Sequence, residues 1–277
     1  MNDQNRTKEL YGLQWNKYRI VRRDEDEATL CLKTGIQPED FAGKLVLDGG
    51  CGMGRYARVA ASWGASVIGM DLSQAAFAAA EMTSEHAERV SIIRGDLLRI
   101  PLPVNAFDLV YSIGVIDHTP DPRRAFLNLA TCVKPGGKMA VWVYERQSPI
   151  VEKIMKAHRA IARRLPVGLV ERLSRWTVPI GGLKRKMMLS RSRLVQRAGV
   201  AIHALTIGVS MHPDPEVRAC DTLDWYAPAF VSHHTFEEVR GWFIEAGFER
   251  IIDPTAGSEH FHEGQGQGVH LMGWKKA

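Results

Sequence analysis

From Lys44 to Tyr144, short apolar runs that end in acidic or glycine residues alternate with stretches of helical spacing. Leu45-Val46-Leu47 runs into Asp48 and a glycine cluster, which predicts a buried strand entering a tight turn. Apolar residues at 56, 57, 59, 60 and 63 predict a helix over 55–63, stopped by Gly64. Residues 66–70 read as a second strand ending in Asp71, and Ser73 as the N-cap of an Ala-rich helix reaching Met82. A third strand over 90–93 closes on Gly95-Asp96, and a fourth covers 107–112. Asp121 and Pro122 open a helix to 133. Pro135-Gly136-Gly137 reads as a turn before a fifth strand over 138–144.

Five strand–helix alternations with short connections predict a doubly wound, parallel sheet with helices on both faces. The strands are near-continuous apolar runs, as a sheet covered on both sides requires. The alternation breaks near Gln147. Residues 148–210 read as helical and basic, punctuated by Pro166, Pro179 and Gly181-Gly182. The α/β alternation resumes with a helix from Thr235 to Ala246, a strand over 248–252 and a last strand over 268–274. The expected organisation is an N-terminal cap segment over 1–40, anchored by Leu10, Tyr11, Trp15, Tyr18 and Ile20. A core follows over 41–146 and 231–277, with a mainly helical insertion over 147–230 as a lid.

Composition narrows the class. The chain has 277 residues, 45% apolar and 24% charged, which excludes wholesale disorder. Its four cysteines, Cys31, Cys51, Cys132 and Cys220, show no CxxC spacing, so neither a disulfide framework nor a zinc ribbon is expected. The polar opening MNDQNRTKEL predicts no signal peptide, and the nearly apolar run over 198–211 is too short for a span. A cytoplasmic protein is the expectation. The formal charge of +5 is uneven: residues 145–207 carry fourteen Lys/Arg against three acids, a net of +11 that leaves −6 for the rest.

The strongest chemical signal is Asp48-Gly49-Gly50-Cys51-Gly52-Met53-Gly54 at a strand-to-helix turn. Gly50 and Gly52 permit positive φ and close approach of a ligand to the backbone. The spacing is not the dinucleotide fingerprint GxGxxG, and its aspartate suits a cationic group rather than a pyrophosphate. Asp71 and Asp96 end the next two strands, where carboxylates can accept hydrogen bonds from ribose hydroxyls and from an adenine amino group. Cys51 reads as structural.

Taken together, VLDGGCGMG, VIGMDLS, IIRGDLLRIPLPVNAFDLVYSIGVIDHTPDP and VKPGGKMAVWVY resemble the successive motifs of class I S-adenosylmethionine-dependent methyltransferases. The resemblance is close over about 44–144 and looser over 235–275. It implies a mostly parallel, seven-stranded Rossmann-like sheet and S-adenosyl-L-methionine as cofactor. It implies Asp48, Gly49, Gly50 and Gly52 at the methionine part, Asp71 and Leu72 at the ribose, and Asp96 with Leu97 at the adenine. Ser112, Ile113 and Gly114 would border the sulfonium. YGLQWNKY resembles a cap of some bacterial small-molecule members, in which Trp15 and Tyr18 would close over the cofactor.

For the acceptor, His118 in Ile116-Asp117-His118-Thr119-Pro120 is the candidate base, with Asp117 beside it. The alternative is that both merely fix the turn before Pro120. Tyr226, His233 and His234 are candidates for an acceptor pocket. No metal is expected, although His233 and His234 with His260 and His262 would make a set of ligands. The basic segment reads as a solvated surface, as attraction to an anionic acceptor, or as peripheral membrane contact. Nucleic acid is disfavoured, because Trp176 is the only aromatic residue from 147 to 207. The leading reading is methylation of a small acceptor of sugar, lipid or natural-product type. An RNA-modifying methyltransferase and a non-catalytic cofactor-binding module are the alternatives. Oligomeric state has no signature in the sequence.

Overall fold

The alternating pattern becomes a single seven-stranded sheet. The computed structural model describes residues 2–206, 208–256 and 268–277. Contacts divide these into a sheet unit of residues 7–146, 230–256 and 268–277, and a helical unit of residues 2–6 and 147–229.

In the sheet unit the strands are β1 (Leu45–Gly49), β2 (Ser66–Asp71), β3 (Val90–Arg94), β4 (Phe107–Ile113), β5 (Val133–Tyr144), β6 (Phe248–Ile252) and β7 (Gly268–Lys275). Their spatial order is β3-β2-β1-β4-β5-β7-β6. The first five run parallel, and β7 enters antiparallel between β5 and β6. The sheet is therefore mixed at one edge. The strand order reverses between β1 and β4, and open sheets of this kind bind ligands outside the carboxyl ends at such a switch point.

Period-two alternation sends successive side chains of β5 to opposite faces. Met139, Val141 and Val143 pack with Phe126 and Leu129 of α5 (Pro122–Cys132) and with Phe243 of α11 (Phe236–Glu245). Ala140 turns the other way, into a core with Leu30 of α2 (Arg23–Thr34) and Tyr56 and Val59 of α3 (Arg55–Ser62). Each fully buried aliphatic or Phe side chain contributes about 1.5–3 kcal/mol. Both faces are covered, which is why the strand sequences lack a polar alternation.

Several details differ from the sequence pattern. Residues 1–40 hold two helices, α1 (Asp3–Lys17) and α2, that their mixed polar sequence hides. Helix α4 (Ala75–Met82) begins after Ser73, whose hydroxyl still accepts from Ala75 N at 3.0 Å. Pro135-Gly136-Gly137 lies inside β5 as an irregularity, where the register with β4 shifts between Phe107 and Leu109. Asp121 caps α5 as expected, accepting from Arg124 N at 3.0 Å.

The helical unit contains α6 (Pro149–Ala162), α7 (Val167–Trp176), α8 (Val178–Met188), α9 (Arg193–Leu205) and α10 (Pro215–Tyr226). The pattern missed α10, which Asp214 caps by accepting from Glu216 N and Val217 N. Pro179 and Gly181 do not break the chain. Pro179 occupies the first turn of α8, and Gly181 lets that helix pass where a Cβ would strike the Ser210 carbonyl.

Some basic residues of this unit are structural. Arg6 donates to the carbonyls of Ala162, the last residue of α6, and of Leu165, both at 2.9 Å. Lys184 is fully buried and donates to the Thr206 and Val209 carbonyls at 3.1 and 2.9 Å. Burial pulls its pKa down to about 8. Arg218 holds the carbonyls of Val178, His212 and Pro213.

Candidate active site

The turn after β1 is built by hydrogen bonds to the end of β2. Gly50 N and Cys51 N donate to the Met70 carbonyl at 2.7 and 3.0 Å, and Gly52 N donates to Asp71 Oδ2 at 3.0 Å. Gly50 and Gly52 take φ of +90° and +53°, a region that favours glycine. Space adds a second constraint. A Cβ on Gly50 would collide with Val115, and one on Gly52 would lie 3.3 Å from the Trp15 indole. Trp15 of α1 therefore packs against the turn at Gly52. Tyr18 does not share that position of partial exposure. It is 2% exposed, and we read it as a packing residue.

Asp48 is buried at the head of the turn, and its Oδ2 has no hydrogen-bond partner among the described residues. Burial raises its pKa to about 7, and the nearby charge of Asp71 adds to that effect. Tyr111 on β4, the Arg55 charge and the Ala57 backbone pull the value part of the way back. Asp71 is also raised by burial, while hydrogen bonds from Ser73 and Gly52 offset part of the rise. Two acids this close and this poorly solvated are complementary to a cation. A buried carboxylate with an unpartnered Oδ2 beside a glycine cradle fits the cationic amino-acid part of S-adenosylmethionine.

Asp71 Oδ1 accepts from Ser73 N and Oγ at 2.8 and 2.7 Å, so the carboxylate is held rigidly beside Leu72. A carboxylate accepts up to about four hydrogen bonds, so acceptor capacity remains. Asp96 lies two residues beyond β3, and its Oδ1 accepts from Leu98 N at 2.9 Å. Leu97 is buried in the core, and its carbonyl accepts from Asn128. Ser112 is fully buried, and its hydroxyl donates to the Gly49 carbonyl at 2.7 Å. The Ser112 side chain thus fixes the turn instead of lining a cavity, a correction to its expected place. Ile113, at the end of β4, is half-buried.

The second cluster follows β4. His118 is 5% exposed and packs 5.4 Å from Tyr11 and 5.4 Å from Tyr144, the last residue of β5. Its Nδ1 lies 3.1 Å from the Phe230 carbonyl. A carbonyl only accepts, so Nδ1 carries the proton, and a neutral ring then has its lone pair on Nε2. Asp117 is fully buried. Its Oδ2 accepts from Tyr144 N at 3.0 Å, and its carbonyl accepts from Ser232 N. Asp117 therefore ties three segments together, which corrects its expectation as a reacting group.

His234 is corrected for the same reason. Nδ1 lies 3.1 Å from Glu238 Oε1, Nε2 lies 2.9 Å from Ser232 Oγ, and the ring packs on Trp242. Both nitrogens are spent internally. His233 is half-buried, with its ring 6.0 Å from that of Tyr144. Tyr226 lies in the helical unit, its ring 5.4 Å from that of His158, and burial pushes its hydroxyl up to about 12. Sequence reasoning missed Tyr11, Tyr144 and Val115. Tyr144 could have been found by the rule that located the acids, since it too stands at a carboxyl strand end.

Among the described residues no three His, Cys, Asp or Glu side chains are placed to hold a metal. His260 and His262 lie outside the described residues. All four cysteines are free, and Cys51 is buried with its thiol raised by burial.

Residues 47–141 match the family of methyltransferase domains. The chain is 32% identical over 152 residues to a sterol 24-C-methyltransferase of Saccharomyces cerevisiae, covering 51% of this chain and 37% of that protein. It is 34% identical over 112 residues to a ubiquinone biosynthesis O-methyltransferase of Coxiella burnetii, covering 39% of this chain and 47% of that protein. The chain thus spans less than half the length of either relative. Among solved structures, the methyltransferase bound to the Trm112 activator of Haloferax volcanii superposes with a TM-score of 0.55 at 14% identity. That match covers 100% of this chain and 98% of the other, and it is a likeness of fold alone. The glycine turn, the sheet order and the domain match agree: the chain carries a class I S-adenosylmethionine-dependent methyltransferase domain.

Proposed function

We propose that this protein transfers the methyl group of S-adenosylmethionine to the hydroxyl of a small, lipid-type acceptor. The observation that carries the acceptor chemistry is His118. It is fixed in one tautomer by the Phe230 carbonyl and held between two tyrosine rings. The sterol and ubiquinone-pathway names of the relatives support an apolar acceptor class.

The cofactor supplies a methyl carbon already activated by its sulfonium. The chain has to hold that group, align the acceptor and remove a proton. Asp48 provides the counter-charge for the cofactor's ammonium, and Asp71 uses its remaining acceptor position for a ribose hydroxyl. Asp96 and Leu97 border its adenine, while Trp15 covers the turn and excludes water. His118 Nε2 takes the acceptor's hydroxyl proton as the oxygen attacks. Asp117 positions this base through its bonds to Tyr144 N and Ser232. Tyr144, Tyr11 and His233 supply apolar and aromatic contact for an acceptor ring or chain.

The test is incubation of the full chain with methyl-labelled S-adenosylmethionine and a cell extract separated into lipid, aqueous, RNA and protein fractions. Label in the lipid fraction supports the reading. Label confined to RNA or protein would replace it.

A further inference from the structure

The helical unit exposes apolar side chains where a monomeric surface normally does not. Leu169, Leu173, Trp176, Ile180 and Leu183 are all exposed, Trp176 at 77%. Their spacing alternates four and three residues, which places them on one face of a helix. The face continues across Thr177, whose backbone stays in the right-handed helical region between α7 and α8. The opposite side of the same stretch is buried at Val167, Val170, Glu171, Ser174, Gly181 and Lys184. This pair of helices therefore turns a mixed polar and apolar face inward and its apolar stripe outward. At the end of α8 and the start of α9, Leu189 and Leu194 are exposed at 56% and 78%.

Charge selects the occupant. From Arg172 to Pro213 the chain has eight Lys/Arg and no Asp or Glu. Lys184 is used internally, and Arg175 pairs with Glu171 and Glu216. Arg172, Lys186, Arg191, Arg193 and Arg197 remain exposed beside the apolar side chains. Exposed aliphatic residues with one tryptophan, set among unbalanced cations, are complementary to a surface with anionic headgroups over hydrocarbon. A nucleic acid would use aromatic stacking platforms, which Leu and Ile cannot provide. No helix among the described residues is long and apolar enough to cross a membrane, so the contact is peripheral.

The geometry points to the outward stripe of α7 and α8, with the α8–α9 tip, as a docking surface for an anionic phospholipid bilayer. This assignment stands on the helical unit alone and does not depend on which acceptor is methylated.

Flotation of the full chain with phosphatidylcholine vesicles, with and without phosphatidylglycerol, tests it. The parent should bind the anionic vesicles at least about tenfold more tightly than the neutral ones, and less tightly as salt rises. The double variant Leu173→Ser, Trp176→Ser should lose about tenfold or more of that affinity, and Arg172→Gln with Lys186→Gln should reduce the preference for anionic lipid. Unchanged thermal melts and S-adenosylmethionine affinity in both variants establish that the fold is intact. No vesicle binding by the parent, or equal binding by the parent and the serine variant, overturns the assignment. Concentration-dependent self-association that the serine variant abolishes, without vesicle binding, would give the stripe to a second copy instead. Tighter binding to a single-stranded RNA than to vesicles would give the surface to nucleic acid.

Discussion

The two units depart from ordinary burial in opposite directions. The sheet unit buries charge: Asp48 lies 2% exposed with an orphaned carboxylate oxygen. The helical unit exposes apolar surface: Trp176 and Leu194 are 77% and 78% exposed. Neither arrangement stabilises the fold. Burying an unpaired charge costs free energy, and an exposed apolar stripe forgoes the gain of burial. On the two proposals, each departure would be offset by a complement of the opposite character, a cationic ligand in one case and a hydrocarbon surface in the other. Misplaced groups locate function here better than any abundance of well-placed ones.

On the side of the sheet unit, the largest effect belongs to the proposed base. His118→Ala should lower turnover on a hydroxyl acceptor by about 10²–10⁴-fold while S-adenosylmethionine affinity is retained. Steady-state kinetics with a calorimetric affinity measurement checks both halves. Asp71→Asn puts an amide NH2, which cannot accept, opposite either Gly52 N or Ser73 N, so it loses charged acceptance and one bond of the turn together, and cofactor affinity should fall by at least about 1.5–3 kcal/mol, read by the same calorimetry.

Asp48 gives a prediction of opposite sign for stability. Its pKa in the folded chain is about 7, against 3.8 for an unperturbed aspartate. The folded state therefore holds the proton more tightly than the unfolded chain does. Stability falls as pH rises from about 4, and the full cost is reached above about 7. Asp48→Asn should melt higher than the parent at pH 8, by an amount of order a few kcal/mol, and nearly the same at pH 4. Denaturant titration at the two pH values reads this directly.

The smallest effect lies in the helical unit. Lys186→Glu reverses an exposed charge and should change stability by less than about 0.5 kcal/mol. Lys184→Glu, two positions before it, replaces a buried donor to two carbonyls and should unfold or strongly destabilise the unit. Thermal melts of the two variants side by side test whether the basic run is one solvated face or two populations.

That last contrast marks where the sequence stops being legible. The strands, the glycine turn and the three acids are readable because each follows a local rule: apolar run, turn chemistry, charge at a strand end. Asp117 and His234 are not readable as structural residues, because their partners, Tyr144 N and Glu238, are set by tertiary contacts. Ser112 fails similarly, its hydroxyl being drawn to a carbonyl on the neighbouring strand. The outward stripe of α7 and α8 is hidden because apolar residues at helical spacing read as the core-facing side of a helix. Only exposure shows that they face outward. Lys184 and Lys186 are indistinguishable in a count of charge, and only their depth tells them apart.

The claim that Asp48 waits as a counter-charge can be tested by calorimetry of S-adenosylmethionine binding in buffers of different ionisation enthalpy. Binding of the cofactor's ammonium should depress the Asp48 pKa below its free value of about 7. Affinity should then be fullest above pH 7 and fall as pH drops below it, with release of up to one proton near pH 6 and little release above pH 8. In Asp48→Asn that proton release should vanish and the affinity should fall. Binding with no proton release at pH 6, or release that persists unchanged in Asp48→Asn, would contradict the account.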